Sequence, residues 1–350
     1  MKFEFKISKL ANQFFFISNL SEWHFSCRKE YNQEWLKQTG HLNKKEEKVL
    51  EEFRKIIKKY GFTRDKIGKS KYLGQIFFIY PEKEVWNKLE RFIRKDEFKK
   101  IKKVFEIFQS RFNKIWTTKS ANILIAQVKY FKRYLNNPKN NKLFEDLKKI
   151  IGNGKSPRKF MVITLASPLK GEGITAAGGA NIGDRYITLE IPELKNNSWE
   201  FEYSVGILAH EICHILFNSS RKFKILKKNI NNLKLPNFLF KNTIPKSNTL
   251  EFITETIIES LVPYGYLSQK YFKNFNPMQI SFSKGNLKIM GENFEKFKAG
   301  KSASVYRLRK FIIWQLYPFI INWIETKETI DEKFIKEIIQ FILKIRACQK

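Results

Sequence analysis

Four histidines occur in 350 residues, and two of them stand four positions apart in the run His210-Glu211-Ile212-Cys213-His214. Residues at i and i+4 share one face of a helix, so both imidazoles can reach a single ion. Glu211 is offset by one position, which suits a carboxylate that touches a metal-bound water and not the metal itself. Neutral imidazole is a good zinc ligand, and a zinc centre that does chemistry uses three protein ligands and keeps a fourth position open. The motif is surrounded by Val205, Ile207, Leu208, Ile212, Ile215, Leu216 and Phe217. Two histidines and a carboxylate in so apolar a helix are costly unless something partners them, and a metal would.

The third ligand must come from elsewhere in the chain. No histidine follows His214, and Ser220 stands where an HExxHxxGxxH pattern would place one. Asp331 is the only aspartate downstream, so a glutamate is the natural donor. The run Leu250 to Val262 carries Glu251, Glu255 and Glu259 at i, i+4 and i+8 among Phe252, Ile253, Ile257, Ile258 and Leu261. That spacing sets three carboxylates near one face of a helix whose other residues call for burial.

Over about residues 160–265 the chain resembles the gluzincin class of zinc metallopeptidases, which pair HExxH with a glutamate on a following helix. The resemblance implies a Zn2+ held by His210, His214 and Glu255. In that class an acidic residue one turn after the ligand often steadies a ligand histidine, and Glu259 matches that role; Glu251 with Glu255 is the alternative register. The resemblance also implies that the strand Tyr186 to Ile191 is an edge strand that binds substrate backbone in extended form. The bare backbone of Gly178-Gly179-Ala180-Asn181 would lie close to such a substrate; a plain glycine turn is the competing reading. The chemistry implied is peptide hydrolysis by a zinc-activated water, with Glu211 as general base. Tyr306, Arg307, Tyr264 and Tyr266 are candidates to stabilise the oxyanion, with ordinary packing or surface charge as the competing reading.

The elements that must position these residues divide near the turn-rich run 152–157. Residues 1–153 read as a mainly helical N-terminal domain without an assignable motif. Residues 154–350 read as a zincin-like catalytic domain: a small sheet, the motif helix and a helical C-terminal lobe. The fold class expected is therefore α+β and mostly helical. Strands are expected at Leu73–Tyr80, Phe160–Ala166 and Arg185–Ile191. Helices are expected at Lys44–Tyr60, from Glu82 to about Leu135, at Leu143–Ile151, Ser204–Asn218 and Leu250–Val262, and through two C-terminal stretches from Ala303 and from Ile330. Residues 219–248 read as basic and loop-rich.

Composition bounds the rest. The hydrophobic fraction is 43% and the aromatic fraction 15%, enough for a real core and against global disorder. The net charge of +32 raises a second reading, a basic nucleic-acid-binding or regulatory protein with a structural or vestigial metal site. Lysine dominates that charge and is spread along the chain. The densest cluster, Lys99-Lys100 with Lys102-Lys103, falls on an expected helix and reads as its wet face. A third reading is a regulatory peptidase resembling those that cleave phage-type repressors, where a similar glutamate helix ends near a proline, here Pro263. No helix-turn-helix supports it. Cys27, Cys213 and Cys348 are odd in number and far apart, so no disulfide framework is expected. His24 and His41 read as structural or exposed. The apolar stretch Phe311 to Trp323 is interrupted by Gln315, Pro318 and Asn322 and falls short of the ~20 residues of a membrane span. A cytoplasmic protein with a peptide or protein substrate is expected.

Overall fold

In the computed structural model the N-terminal residues Phe3–Ile7 pair in parallel with a strand far along the chain, Phe160–Ala166. The structure describes the chain except residues 25, 62, 65–69, 153–155, 171–173, 175–177, 236–247, 328 and 349–350. The described residues form two units, Lys2–Arg133 with Lys159–Lys195, and Met1 with Tyr134–Arg158 and Asn196–Lys350. The chain passes out of the first unit after Arg133, returns to it for residues 159–195, and leaves it again.

The first unit contains β1 (Phe3–Ile7), α1 (Lys9–Leu20), α2 (Lys29–Thr39), α3 (Lys44–Tyr60), β2 (Thr63–Arg64), β3 (Ser70–Lys71), α4 (Leu73–Ile79), α5 (Glu82–Phe92), α6 (Lys95–Ile115), most of α7 (Thr118–Asn136), β4 (Phe160–Ala166), β5 (Gly179–Asn181) and β6 (Tyr186–Ile191). Four strands form a mixed sheet in the order β1-β4-β6-β5. β1, β4 and β6 are parallel, and β5 runs antiparallel to β6. β4 and β6 read as apolar runs because parallel strands are covered on both faces. Helix α1 starts at Ser8, whose hydroxyl accepts from the Ala11 N–H, and is buried from Ala11 to Leu20. Asn12 ties it to the sheet, donating to the Thr164 carbonyl and accepting from the Ala166 N–H at 2.7 Å.

Two sequence expectations fail here. Leu73–Tyr80 is helical over Leu73–Ile79 and not a strand. An eight-residue apolar run looks alike in a buried strand and a buried helix, and packing decides. Phe77 stacks between Phe14 and Phe105, with ring centroids 4.4 and 5.1 Å away, so this run completes the aromatic core as a helix. Tyr186–Ile191 is a strand but not an edge. β5 covers its outer side in the register Gly179 to Leu189, Ala180 to Thr188 and Asn181 to Ile187. The backbone groups expected to meet a substrate are used within the sheet, and Gly179–Asn181 is the strand that uses them.

The second unit is helical in its described residues: α8 (Pro138–Ile151), α9 (Trp199–Asn218), α10 (Arg221–Asn232), α11 (Thr249–Glu259), α12 (Tyr266–Tyr271), α13 (Pro277–Ile280), α14 (Lys284–Lys298), α15 (Val305–Lys327) and α16 (Glu332–Ala347). The motif helix α9 begins five residues before the expected Ser204. Ser198 caps it by accepting from the Phe201 N–H. Buried Glu202, in its first turn, accepts from the backbone N–H groups of Lys273, Asn274 and Phe275. α9 packs against α8, α10 and α11, and α11 also packs against α15. Helix α10 occupies part of the stretch read as loop; residues 236–247 of that stretch lie outside the described residues. Lys99, Lys100, Lys102 and Lys103 are exposed on α6. No helix among the described residues is long and apolar enough to cross a membrane.

Candidate metal centre

The motif lies within α9, so His210 and His214 project one turn apart with ring centroids 4.7 Å from each other. Glu255, midway along α11, meets both. His214 Nε2 is 3.0 Å from Glu255 Oε1, His210 Nε2 is 3.5 Å from Glu255 Oε2, and the two Nε2 atoms are 3.1 Å apart. Ligands about 2.0–2.1 Å from a tetrahedral zinc are separated from one another by about 3.3 Å, so the three spacings bracket that value. Two imidazole nitrogens at 3.1 Å that also face a carboxylate crowd one point, which a shared proton or a cation can occupy. The side chains are 12%, 15% and 19% exposed for His210, His214 and Glu255, in keeping with a site sunk below the surface yet reachable.

The electrostatics follow from this convergence. Burial disfavours the Glu255 carboxylate, but hydrogen bonds from His210 and His214 outweigh it and hold the group well below the usual carboxylate range. Burial would lower His210; the hydrogen bond and charge of Glu255, aided by the charges of Glu211 and Glu259, instead push it up to about 9. The same attraction that binds a proton here would bind a divalent cation.

The other nitrogen of His210 is held from behind. Nδ1 lies 3.3 Å from the Val262 carbonyl. A carbonyl only accepts, so Nδ1 carries the proton in that contact, and Nε2 is the nitrogen that would meet a metal once its own proton is displaced. Gly206, one turn before His210 on α9, makes this approach possible. A Cβ on Gly206 would lie 2.9 Å from Pro263 Cβ and 3.3 Å from the Phe272 ring. Glycine therefore lets the Val262-Pro263 backbone settle against the helix and present its carbonyl.

Glu259 does not take the expected role of steadying a histidine. Its buried carboxylate accepts two hydrogen bonds from Arg309 on α15, Nε to Oε2 at 3.0 Å and Nη2 to Oε1 at 2.6 Å. Arg309 Nη2 also comes within 4.0 Å of Glu255 Oε2. The burial of Arg309 is offset first by the charge of Glu259, and its guanidinium is held firmly protonated. Glu251, the alternative ligand, is exposed one turn before Glu255, and burial of part of its side chain together with the Glu255 charge pushes its carboxyl up. Glu211 is 8% exposed, beside His210 in the chain, and its charge acts on that ring.

Among the described residues, the cation that approaches the triad is Arg309, which sequence reasoning missed in favour of Arg307 two positions earlier. Arg307 is exposed. Tyr264 and Tyr306 belong to a chain of phenols, Tyr203 to Tyr264 at 2.6 Å and Tyr264 to Tyr306 at 2.7 Å, with the Lys310 ammonium 4.0 Å from the Tyr264 ring centre. Tyr266 opens α12, with Lys270 5.6 Å from its ring centre. The sequence places Arg309 on the helix expected from Ala303, but nothing local sets it apart in a chain with 66 basic residues. Cys213 is fully buried within the motif, and burial pushes its thiol well up, so it is a packing residue. His24 bonds Ser26 through Nδ1. The three cysteines are free thiols. No protein-family profile, curated protein or solved structure matches this chain.

Proposed function

We propose that the chain is a zinc-dependent peptidase of the gluzincin type, with His210, His214 and Glu255 as ligands and Glu211 as general base. The observation that carries this reading is the convergence of two Nε2 atoms and one carboxylate from two helices on a point of zinc-like dimensions. Zinc held by these residues would supply an activated water at neutral pH and a Lewis acid for a carbonyl. Glu211, one position from His210 on α9, takes the proton of the attacking water and returns it to the leaving amine. The Val262 carbonyl fixes the His210 tautomer. Arg309, anchored by Glu259, places a permanent positive charge at the edge of the triad, where it steadies the Glu255 carboxylate and is available to a developing oxyanion. This assigns to α9 and α11 the roles of active-site helix and glutamate helix in a zincin-like unit, with α14 to α16 as the helical lobe. The free thiols favour a reducing, cytoplasmic setting.

The test is Glu211→Gln, with a digest of a random peptide mixture read by mass spectrometry. The variant should keep its zinc and lose peptide cleavage by at least about a hundredfold, the usual scale of a general base. Cleavage at the parental rate would remove Glu211 from the mechanism.

A further inference from the structure

The first unit contains a cavity of about 100 Å³ that the metal centre does not account for. Phe14 and Phe15 of α1, Trp23, Tyr72 and Phe78 supply aromatic wall, and Glu190 of β6 lines it. Tyr72 folds over the start of α4 because residue 74 is glycine; a Cβ there would run into the Tyr72 ring. The Trp23 indole N–H is already donated to Ser18 Oγ at 2.8 Å, so Trp23 offers the cavity ring surface and no free donor.

Glu190 is only half satisfied. Its Oε2 accepts from the Tyr31 hydroxyl at 2.8 Å and lies 3.6 Å from Arg28 Nε. Among the described residues Oε1 has no hydrogen-bond partner. The Glu190 side chain is 18% exposed, and partial burial with one oxygen unpaired makes the charged form costly and pushes its carboxyl up. A cation repays that cost twice, by bonding Oε1 and by lying against aromatic rings whose faces are negative. The cavity has room for a short alkyl chain with its ammonium. Arg28, 38% exposed at its side chain, is the local competitor for the same carboxylate.

We propose that this cavity binds a short primary alkylammonium group, its N–H donated to Glu190 Oε1 and its carbons packed on the aromatic wall. Two sources share that chemistry, a free small amine and the side chain of a lysine in a peptide.

Calorimetric titration of the full chain with n-propylammonium chloride tests it, with 1-propanol as the uncharged counterpart and an acetyl-lysine-amide peptide unit as the second source. Saturable binding of propylammonium is expected, at least about tenfold tighter than propanol. Comparable binding of the lysine compound assigns the pocket to peptide side chains, and its failure beside propylammonium binding assigns it to free amines. Glu190→Gln should weaken the ammonium at least about tenfold while leaving propanol unchanged. If Glu190→Gln does not fold, Arg28→Ala on the rim carries the test: removal of the competing cation should tighten propylammonium binding. Equal binding of propanol and propylammonium, weaker ammonium binding in Arg28→Ala, or no saturable binding by the parent would each overturn the proposal.

Discussion

Arg309→Ala should destabilise the second unit by about 3–5 kcal/mol, the cost of stripping one partner from a buried ion pair. Glu259 is 6% exposed at its side chain and Arg309 15%, and the pair is joined by two charge-assisted hydrogen bonds of 3.0 and 2.6 Å. Alanine would leave the Glu259 carboxylate buried without a cation, close enough to the triad for its charge to act on His210. Removing both charges avoids that orphaned group, because apolar side chains of similar volume often replace a buried pair at little cost. The double variant Glu259→Met/Arg309→Met should therefore recover most of the loss, with a coupling energy of at least about 2 kcal/mol in the cycle completed by the singles Glu259→Met and Arg309→Met. Urea unfolding gives the energies, and hydrogen exchange of α11 and α15 locates them. A cost under about 1 kcal/mol for Arg309→Ala, or a double variant as unstable as the sum of its singles, would show that the pair does not hold these helices together.

Two further outcomes follow from the site. Gly206→Ala drives a methyl into Pro263, so the Val262 carbonyl must withdraw from His210; a loss of zinc affinity of about 10- to 100-fold is expected, the usual effect of removing a partner of a ligand histidine, and unchanged affinity would refute the link. In the metal-free chain His210 is raised from its ordinary 6.5 to about 9, so its pairing with Glu255 stabilises the fold fully below pH 6.5 and is lost as pH rises through about 9. Glu255 is depressed, so its contribution is present above the ordinary carboxylate value of 4.5 and is lost on acidification below it. Zinc must displace the His210 proton, so apparent zinc affinity should climb by up to about tenfold per pH unit from pH 7 toward 9 and then level; a flat profile by competition with a chromogenic chelator would contradict this.

The legible part of this protein is what depends on spacing along one helix. His210, Glu211 and His214 are set by the helical repeat alone, and Glu255 stands out because two of its rivals are accounted for otherwise once the fold is known. Its neighbour Glu259 faces Arg309, fifty residues later, and no local pattern marks that pairing. Gly206 is invisible for the same reason: its need arises from Pro263 in another segment. The helix at Leu73–Ile79 is hidden because a short run broken only by Gly74 and Gln75 has no clear period to read, and its state depends on the stack formed by Phe14, Phe77 and Phe105. β6 was correctly read as a strand, but its place inside the sheet depends on β5, three residues whose pairing no composition signals.

The central claim concerns one ion and its ligands, and X-ray absorption at the zinc edge of the purified, zinc-loaded chain addresses it most directly. One zinc per chain is predicted, with scattering from two imidazoles at about 2.0 Å, oxygen in the remaining positions and no sulfur. A chain that retains no zinc after dialysis, or a zinc–sulfur distance near 2.3 Å that would bring Cys213 into the shell, would contradict the account.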